Sequence, residues 1–353
     1  SRFNKFGSAI DPFGIETSEI ACPRCGLSLP RLLLDLSTFP VSIVGSPGSG
    51  KSYLLAASIS ELRHIMPTLG FTFEDVDPNI NKNIIKSEKK LFQASDLEKI
   101  VSLKKTEING TEFYNNSDLS GQSKTFLSPM QFVFGNIGDK KNDRILVLYD
   151  CAGEHFMPGN NHVSMPSMTC LIKSKAIIFL LDLLQDPIFN KIFESSSSLK
   201  QNNVRQSMIL NETILRVRKG LGLRHNEYCN KPLIIALSKV DVWGDTFQLN
   251  DLSSIPIQCE NKLIDFKKIT ETSLKIRNEL NKFIPDFVNL AEAFSQNVYF
   301  VPNSAIGRDL QFEKSENEYG IRPKDIKPRW ASVPLILSMF LDIEPAVLEI
   351  PQF

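Results

Sequence analysis

The stretch VSIVGSPGSGKSYLLAA, beginning at Val41, constrains this chain more than any other. Before and within it, FPVSIVG is a β-branched apolar run of buried-strand length. After it, KSYLLAASISELRHIM places Leu54, Leu55, Ile59 and Leu62 at helical spacing. Between strand and helix, Gly45 to Ser52 matches GxxxxGK[ST]. Gly45, Gly48 and Gly50 let successive backbone N–H groups turn toward one point, and the start of the helix adds its positive end there. Such a loop is expected to hold phosphates. Lys51 would reach the outer ones, Ser52 would coordinate Mg²⁺, and Ser46, Ser49 and Tyr53 would complete the lining. Taken alone, so short a match also fits a glycine-rich turn without a ligand, so the rest of the chain must supply the context.

Four further apolar runs read as buried strands: RILVLYD (144–150), AIIFLLD (176–182), LIIALSK (233–239) and NVYFVPNS (297–304). Helical patterns separate them, at roughly 201–220, 260–293 and 331–342. This alternation predicts an α/β P-loop fold with a mostly parallel central sheet and helices on both faces. Insertions are expected at about 66–143 and 245–293. Within the first, FTFEDVDPNINKNIIKSEKKLF reads as a strand and then a helix, with Asp77 as N-cap and Pro78 at the first helical position. FLSPMQFVFGN reads as an antiparallel strand at the sheet edge. Residues 1–37 are turn-rich and are expected to form an arm or small knuckle ahead of a domain spanning 38–353.

Each later strand is followed by a short motif. DCAG places Asp150 at a strand end, where it could hold Mg²⁺, and Gly153 three residues on, where a backbone N–H could meet a γ-phosphate. SKVD matches [NTS]KxD. Asp241 could accept hydrogen bonds from the guanine ring N–H and exocyclic amine, a donor pair that adenine lacks, and Lys239 would lay its stem along the base. Ser304-Ala305 could offer a backbone N–H to the guanine carbonyl oxygen. Each motif separately fits an ordinary strand end or turn. Their order decides: phosphate loop, DxxG, KxD and SA recur in the sequence used by GTPases, so GTP/GDP and Mg²⁺ are the expected ligands.

The chain resembles GTPases of the TRAFAC class, with a Ras-like core. More narrowly it is similar to the bacterial double-GTPase (DO-GTPase) group. The likeness rests on CPRCGLSLP, GSPGSGKSYLLAA, DVDPNIN, EKKLF, LKKTEINGTEFYN, YDCAGEHFMPG, SKVDVW and IRPKDIKPRW, which together extend over most of the chain. The resemblance implies GTP hydrolysis, a molecular switch with an enlarged first switch region, and association with multi-gene bacterial conflict systems that act against phage. It also implies a protein partner or effector.

Hydrolysis rests on less certain residues. Ras-like enzymes carry a glutamine after the DxxG glycine, and translational GTPases often a histidine; here Glu154 and then His155 follow. Glutamate can orient water, but its charge would lie near a polyanion unless a cation compensates, so His155 rivals it. For the switch threonine, Thr106 fits the family resemblance, whereas Thr125, ahead of the antiparallel strand, fits the usual topology. No arginine finger is identifiable; Arg205, Arg216 and Arg218 read as an exposed helix face, and the charges around Lys86–Lys90 as a solvated one. The rival to an enzyme is a nucleotide-gated interaction module that hydrolyses little without its partner.

Composition limits other readings. The chain has 353 residues, 42% of them apolar, enough for a substantial core. Its 40 basic and 40 acidic residues cancel, so no global field attracts nucleic acid or anionic membrane. No apolar run reaches the length of roughly 20 residues that a membrane span needs. The chain starts at Ser1 without a signal-like segment and reads as cytoplasmic, with some natural N-terminal sequence missing. The six cysteines are too dispersed for a secreted disulfide framework. Only Cys22 and Cys25, in CPRCG, form half a zinc knuckle. No second pair follows, so Zn²⁺ belongs to the full-length protein if to either, and reduced structural thiols are the simpler reading here.

Overall fold

The structure is a computed structural model. It describes residues 2–341 except 6–7, 11–12, 18–19, 23–27, 104–113, 118–123, 152, 157–165, 194–204, 250–251, 253–254, 259–262, 309 and 314–317. The central sheet contains β1 (Ser37–Gly45), β2 (Phe71–Asp75), β3 (Met130–Asn136), β4 (Asp139–Asp150), β5 (Ala176–Leu181), β6 (Leu233–Leu237) and β7 (Val298–Pro302). Across the sheet their order is β7-β6-β5-β1-β4-β3-β2. From β7 to β4 every pairing is parallel, whereas β3 runs antiparallel to both β4 and β2. β5 (AIIFLL) and β6 (LIIAL) are buried at every position. A strand covered on both faces needs such an unbroken apolar run, and each buried Leu or Ile contributes about 1.5–3 kcal/mol.

The described helices longer than a single turn are α1 (Lys51–Thr68), α2 (Lys82–Phe92), α3 (Pro166–Lys173), α4 (Pro187–Phe193), α5 (Gln206–Leu221), α6 (Phe266–Phe283), α7 (Pro285–Phe294) and α8 (Val333–Phe340). α1 packs on α2 and β2, α8 on β5 and β6, and α6 on β7, while α5 contacts both α3 and α7. No described helix is long and apolar enough to cross a membrane.

The first insertion departs from the expected pattern. β3 is antiparallel, as the sequence suggests, but it is not the edge, because β2 pairs along its outer side. α2 begins at Lys82 with Asn81 at its N-cap, not at Pro78. Asp77 instead closes a local turn, accepting from the Asn79 amide. Asn81 explains the late start: its side chain bonds both the N–H and the C=O of Gln131 and also donates to Asp75. One amide thus joins α2, β2 and β3. Arg63 strengthens this corner through ion pairs with Asp75 and Glu88 and by lying over the Phe132 ring. Glu88 is therefore buried rather than part of a solvated face. The long helical pattern over 260–293 divides into α6 and α7, with Pro285 opening the second helix.

The segment from Ile321 to Ser332 acts as a strap. It bridges Val101 through Ile321 and Ser304 through Arg329. It then reaches α1, where Ser58 Oγ donates to the Ala331 carbonyl at 2.6 Å and Glu61 accepts from the Ser332 amide at 2.8 Å. Trp330, fully buried with φ of 50°, turns the chain between these contacts.

Candidate functional site: a phosphate loop and its neighbours

Strand register creates the site. Gly45 lies beside Leu180, Ile43 beside Asp150, Leu181 beside Leu237, and Leu237 beside Pro302. The carboxyl ends of the five parallel strands therefore share one edge, where open α/β sheets gather their ligands. Backbone bonds carry the alignment one residue further: Cys151 N–H to Ile43, Ser238 N–H to Leu181, and Asn303 N–H to Leu237. The motifs that the sequence spreads over more than 250 residues thus emerge side by side.

At the phosphate loop, Gly48 and Gly50 have φ of 75° and 96°, a region that favours glycine. Lys51, on the first turn of α1, donates from Nζ to the Gly45 and Ser46 carbonyls, each at 3.0 Å. Ser46 Oγ and Ser49 Oγ are buried with no hydrogen-bond partner among the described residues. Gly153 opens a 3₁₀ turn (Gly153–Phe156) directly against this loop; a Cβ added to it would lie 2.5 Å from the Gly45 carbonyl oxygen and 2.7 Å from the Pro47 nitrogen. Glu154 and His155 follow on that turn, but their side chains lie outside the described residues.

Asp150, almost fully buried, ends β4. Together with Ser52 it lines a cavity of about 40 Å³, shared with the polar Asn83, Ser87 and Ser128 and with apolar side chains such as Leu55 and Ile84. That space suits a small hydrated ion better than an organic molecule. The donor set is hard oxygen, which fits Mg²⁺. Burial, and then the neighbouring Cys170 and Asp150, keep the Cys151 thiol well above its ordinary range, so it stays protonated. Thr106 lies outside the described residues, and Thr125 falls on a strand (Lys124–Leu127) whose side-chain placement at that position is not described.

At the far end, Lys239 has φ of 60° and opens the turn Val240–Trp243. Buried Trp243 fixes this turn by donating from Nε1 to the Ser238 carbonyl at 2.7 Å, and the Val240 amide bonds the Asn303 carbonyl. Asp241 Oδ1 is buried with no hydrogen-bond partner among the described residues, as are both amide atoms of Asn303. Leaving such groups unpaired costs about 1–3 kcal/mol each, a cost that a polar ligand removes. The Ser304 amide is committed to the Arg329 carbonyl at 2.9 Å, and its hydroxyl accepts from Gly307. Of the Ser304-Ala305 pair, the Ser304 amide is therefore already paired within the protein.

Several residues took other places than expected. Arg216 is not an exposed face residue: it pairs with Glu212 and lies over the ring of Phe156, the last residue of the Gly153 turn. Arg218 holds backbone carbonyls, including that of Glu227 and that of Ala293 near the end of α7. Cys22 is half-buried, while Cys25 lies outside the described residues. Among the described residues no group of three or more His, Cys, Asp or Glu gathers as a metal site. Sequence reasoning missed Asp182 and Gln185, which follow β5; the only signal was an acidic residue at the end of an apolar run.

Strand order and the glycine-rich loop on the central strand define a mixed-sheet α/β fold of the P-loop type. Among solved structures the chain is similar to a point variant of Aquifex aeolicus Era bound to GDP and AlF4⁻ (15% identity, 76% of this chain and 52% of that one, TM-score 0.27). It is also similar to the S. cerevisiae Ski7 GTPase-like domain bound to GTP (14%, 92% and 54%, TM-score 0.32). A third likeness is to a nucleolar GTP-binding protein 1 described as putative in its own name, from Plasmodium falciparum (11%, 91% and 95%, TM-score 0.30). The chain spans about half the length of the Era structures it matches. These likenesses are too loose to carry residue roles. No family model matches the chain, and no curated protein does.

Proposed function

We propose that the protein is a guanine-nucleotide switch that hydrolyses GTP to GDP and phosphate. The observation carrying this reading is the shared edge, where the phosphate loop, Asp150, Gly153, Asp241 and Ala305 follow adjacent strands. Loop amides and Lys51 would stabilise charge on the transferring phosphoryl group, and the Gly153 amide would meet its outer oxygens. Ser52 and Asp150 would hold Mg²⁺, which when bound neutralises charge on the β- and γ-phosphates. Asp241 would accept from the guanine N–H groups, and Lys239 would wall the base. The water-positioning role falls to Glu154 or His155. Because Gly153 touches the loop backbone, loss of the γ-phosphate would release the segment after it.

A second reading, a nucleotide-gated module needing a partner for turnover, draws support from Glu154, whose charge disfavours a polyanion. On its sequence segments we place the chain with the double-GTPase group, acting in a bacterial conflict system with a protein effector in the cytoplasm. The arm over 1–37 and the domain over 38–353 belong to the same proposal. Phosphate release from GTP with Mg²⁺, measured with and without the products of neighbouring genes, tests this. Turnover by the protein alone supports the autonomous enzyme, turnover only with a partner supports the module, and none under either condition removes hydrolysis.

A further inference from the structure

The fully buried carboxylate of Asp182, just past β5, holds two groups from different parts of the site. Lys239 Nζ donates to Asp182 Oδ2 at 2.7 Å, and Gln185 Nε2 donates to the same oxygen at 3.1 Å. The second oxygen, Oδ1, accepts from the Leu184 amide at 3.1 Å. Gln185 Nε2 also donates to the Pro47 carbonyl in the phosphate loop at 3.2 Å. The line Lys239–Asp182–Gln185–Pro47 therefore runs unbroken from the base-side turn to the phosphate loop. Its orientation is fixed by chemistry: both acceptors facing Gln185 are oxygens, so the amide must present N–H to them. Gln185 is itself buried, and its amide nitrogen lies 3.7 Å from where a Cβ on Gly48 would stand.

We infer that Asp182 and Gln185 are positioning residues which lock the base-side turn and the phosphate loop at a fixed separation. This rests on the nucleotide-site reading above and adds to it a source of affinity. A ligand that spans both ends gains from a preset separation because it need not order the two loops itself. A ligand touching one end gains nothing from it. Asp182 further holds Lys239 extended, so the lysine stem forms a fixed wall rather than a mobile chain. A carboxylate buried without its lysine would be costly, which keeps the pair together.

The test compares GDP, guanosine and inorganic triphosphate as displacers of a fluorescent GDP analogue. The proteins are the wild type, Gln185→Ala and Asp182→Asn. For Gln185→Ala, GDP affinity falls roughly tenfold, while guanosine and triphosphate each change by less than about twofold. For Asp182→Asn, GDP and guanosine weaken together and triphosphate does not. Loss of all three ligands in proportion, or unchanged GDP affinity, overturns the inference. A wild type that binds triphosphate but not GDP overturns the guanine-site reading instead. Should Gln185→Ala fail to fold, Gln185→Met, similar in length but without donors, reads the same ratio.

Discussion

Gly153 stands against Gly45 so closely that a single added carbon would lie 2.5 Å from the Gly45 carbonyl oxygen, well inside any real contact. Gly45 ends β1 and Gly153 opens the turn after β4, more than 100 positions apart, yet the space between them allows only hydrogen. Gly153→Ala must therefore push the turn or the phosphate loop out of place. GTP affinity should fall at least tenfold while GDP affinity falls less, since in the proposed switch only GTP would engage the amide at Gly153. Calorimetry with GDP and a non-hydrolysable GTP analogue checks this; equal losses for both ligands would count against a γ-phosphate contact.

Lys51→Ala should weaken GDP and GTP binding by between about tenfold and a hundredfold, the scale of a lost hydrogen bond to a charged group, and abolish turnover. The fold should survive, since the carbonyls that the ammonium bonds, those of Gly45 and Ser46, belong to its own loop. Normal turnover by a correctly folded variant would remove the phosphate-loop assignment.

Asp241→Asn should exchange guanine for xanthine preference, because the amide offers a donor where the carboxylate offered an acceptor. Guanine nucleotide should lose on the order of tenfold and xanthine nucleotide gain relative to it. Competition between the two diphosphates reads this directly, and an unchanged ratio would sink the base assignment.

Glu61 gives a prediction about pH. Burial raises its carboxyl above the ordinary 4.5, opposed by the hydrogen bonds from Ser332. The folded state thus binds a proton more tightly than the unfolded chain. Stability contributed by the protonated acid is full below 4.5 and is lost as pH rises through the folded value. Glu61→Gln keeps an acceptor for the Ser332 amide but removes this titration. Its melting temperature relative to wild type should rise between acidic and neutral pH. A relative fall over the same range would mean that the ionised carboxylate is the stabilising form.

Much of this was legible in the sequence, and for physical reasons. The apolar runs at 176–181 and 233–237 admit few structures other than doubly covered strands, and the glycines of the loop announce positive φ. The four motifs were recognisable because each is local. What the sequence hid depends on long-range pairing. Nothing near Asn81 shows that its amide will clasp Gln131, which is why α2 begins four residues later than Pro78 suggests, and nothing in FTFED shows that it will pair outside β3. Ser304 loses its amide to Arg329, a residue 25 positions away in a segment that carries no nucleotide motif. Asp182 gains meaning only when the β5–β6 register brings Lys239 to it.

The most direct test is a calorimetric titration of the purified protein with GDP, GTP and ATP in the presence of Mg²⁺. The account predicts saturable binding of both guanine nucleotides and ATP binding weaker by on the order of a hundredfold, the discrimination expected when a buried carboxylate is left unpaired. ATP binding as tight as GTP binding would contradict it.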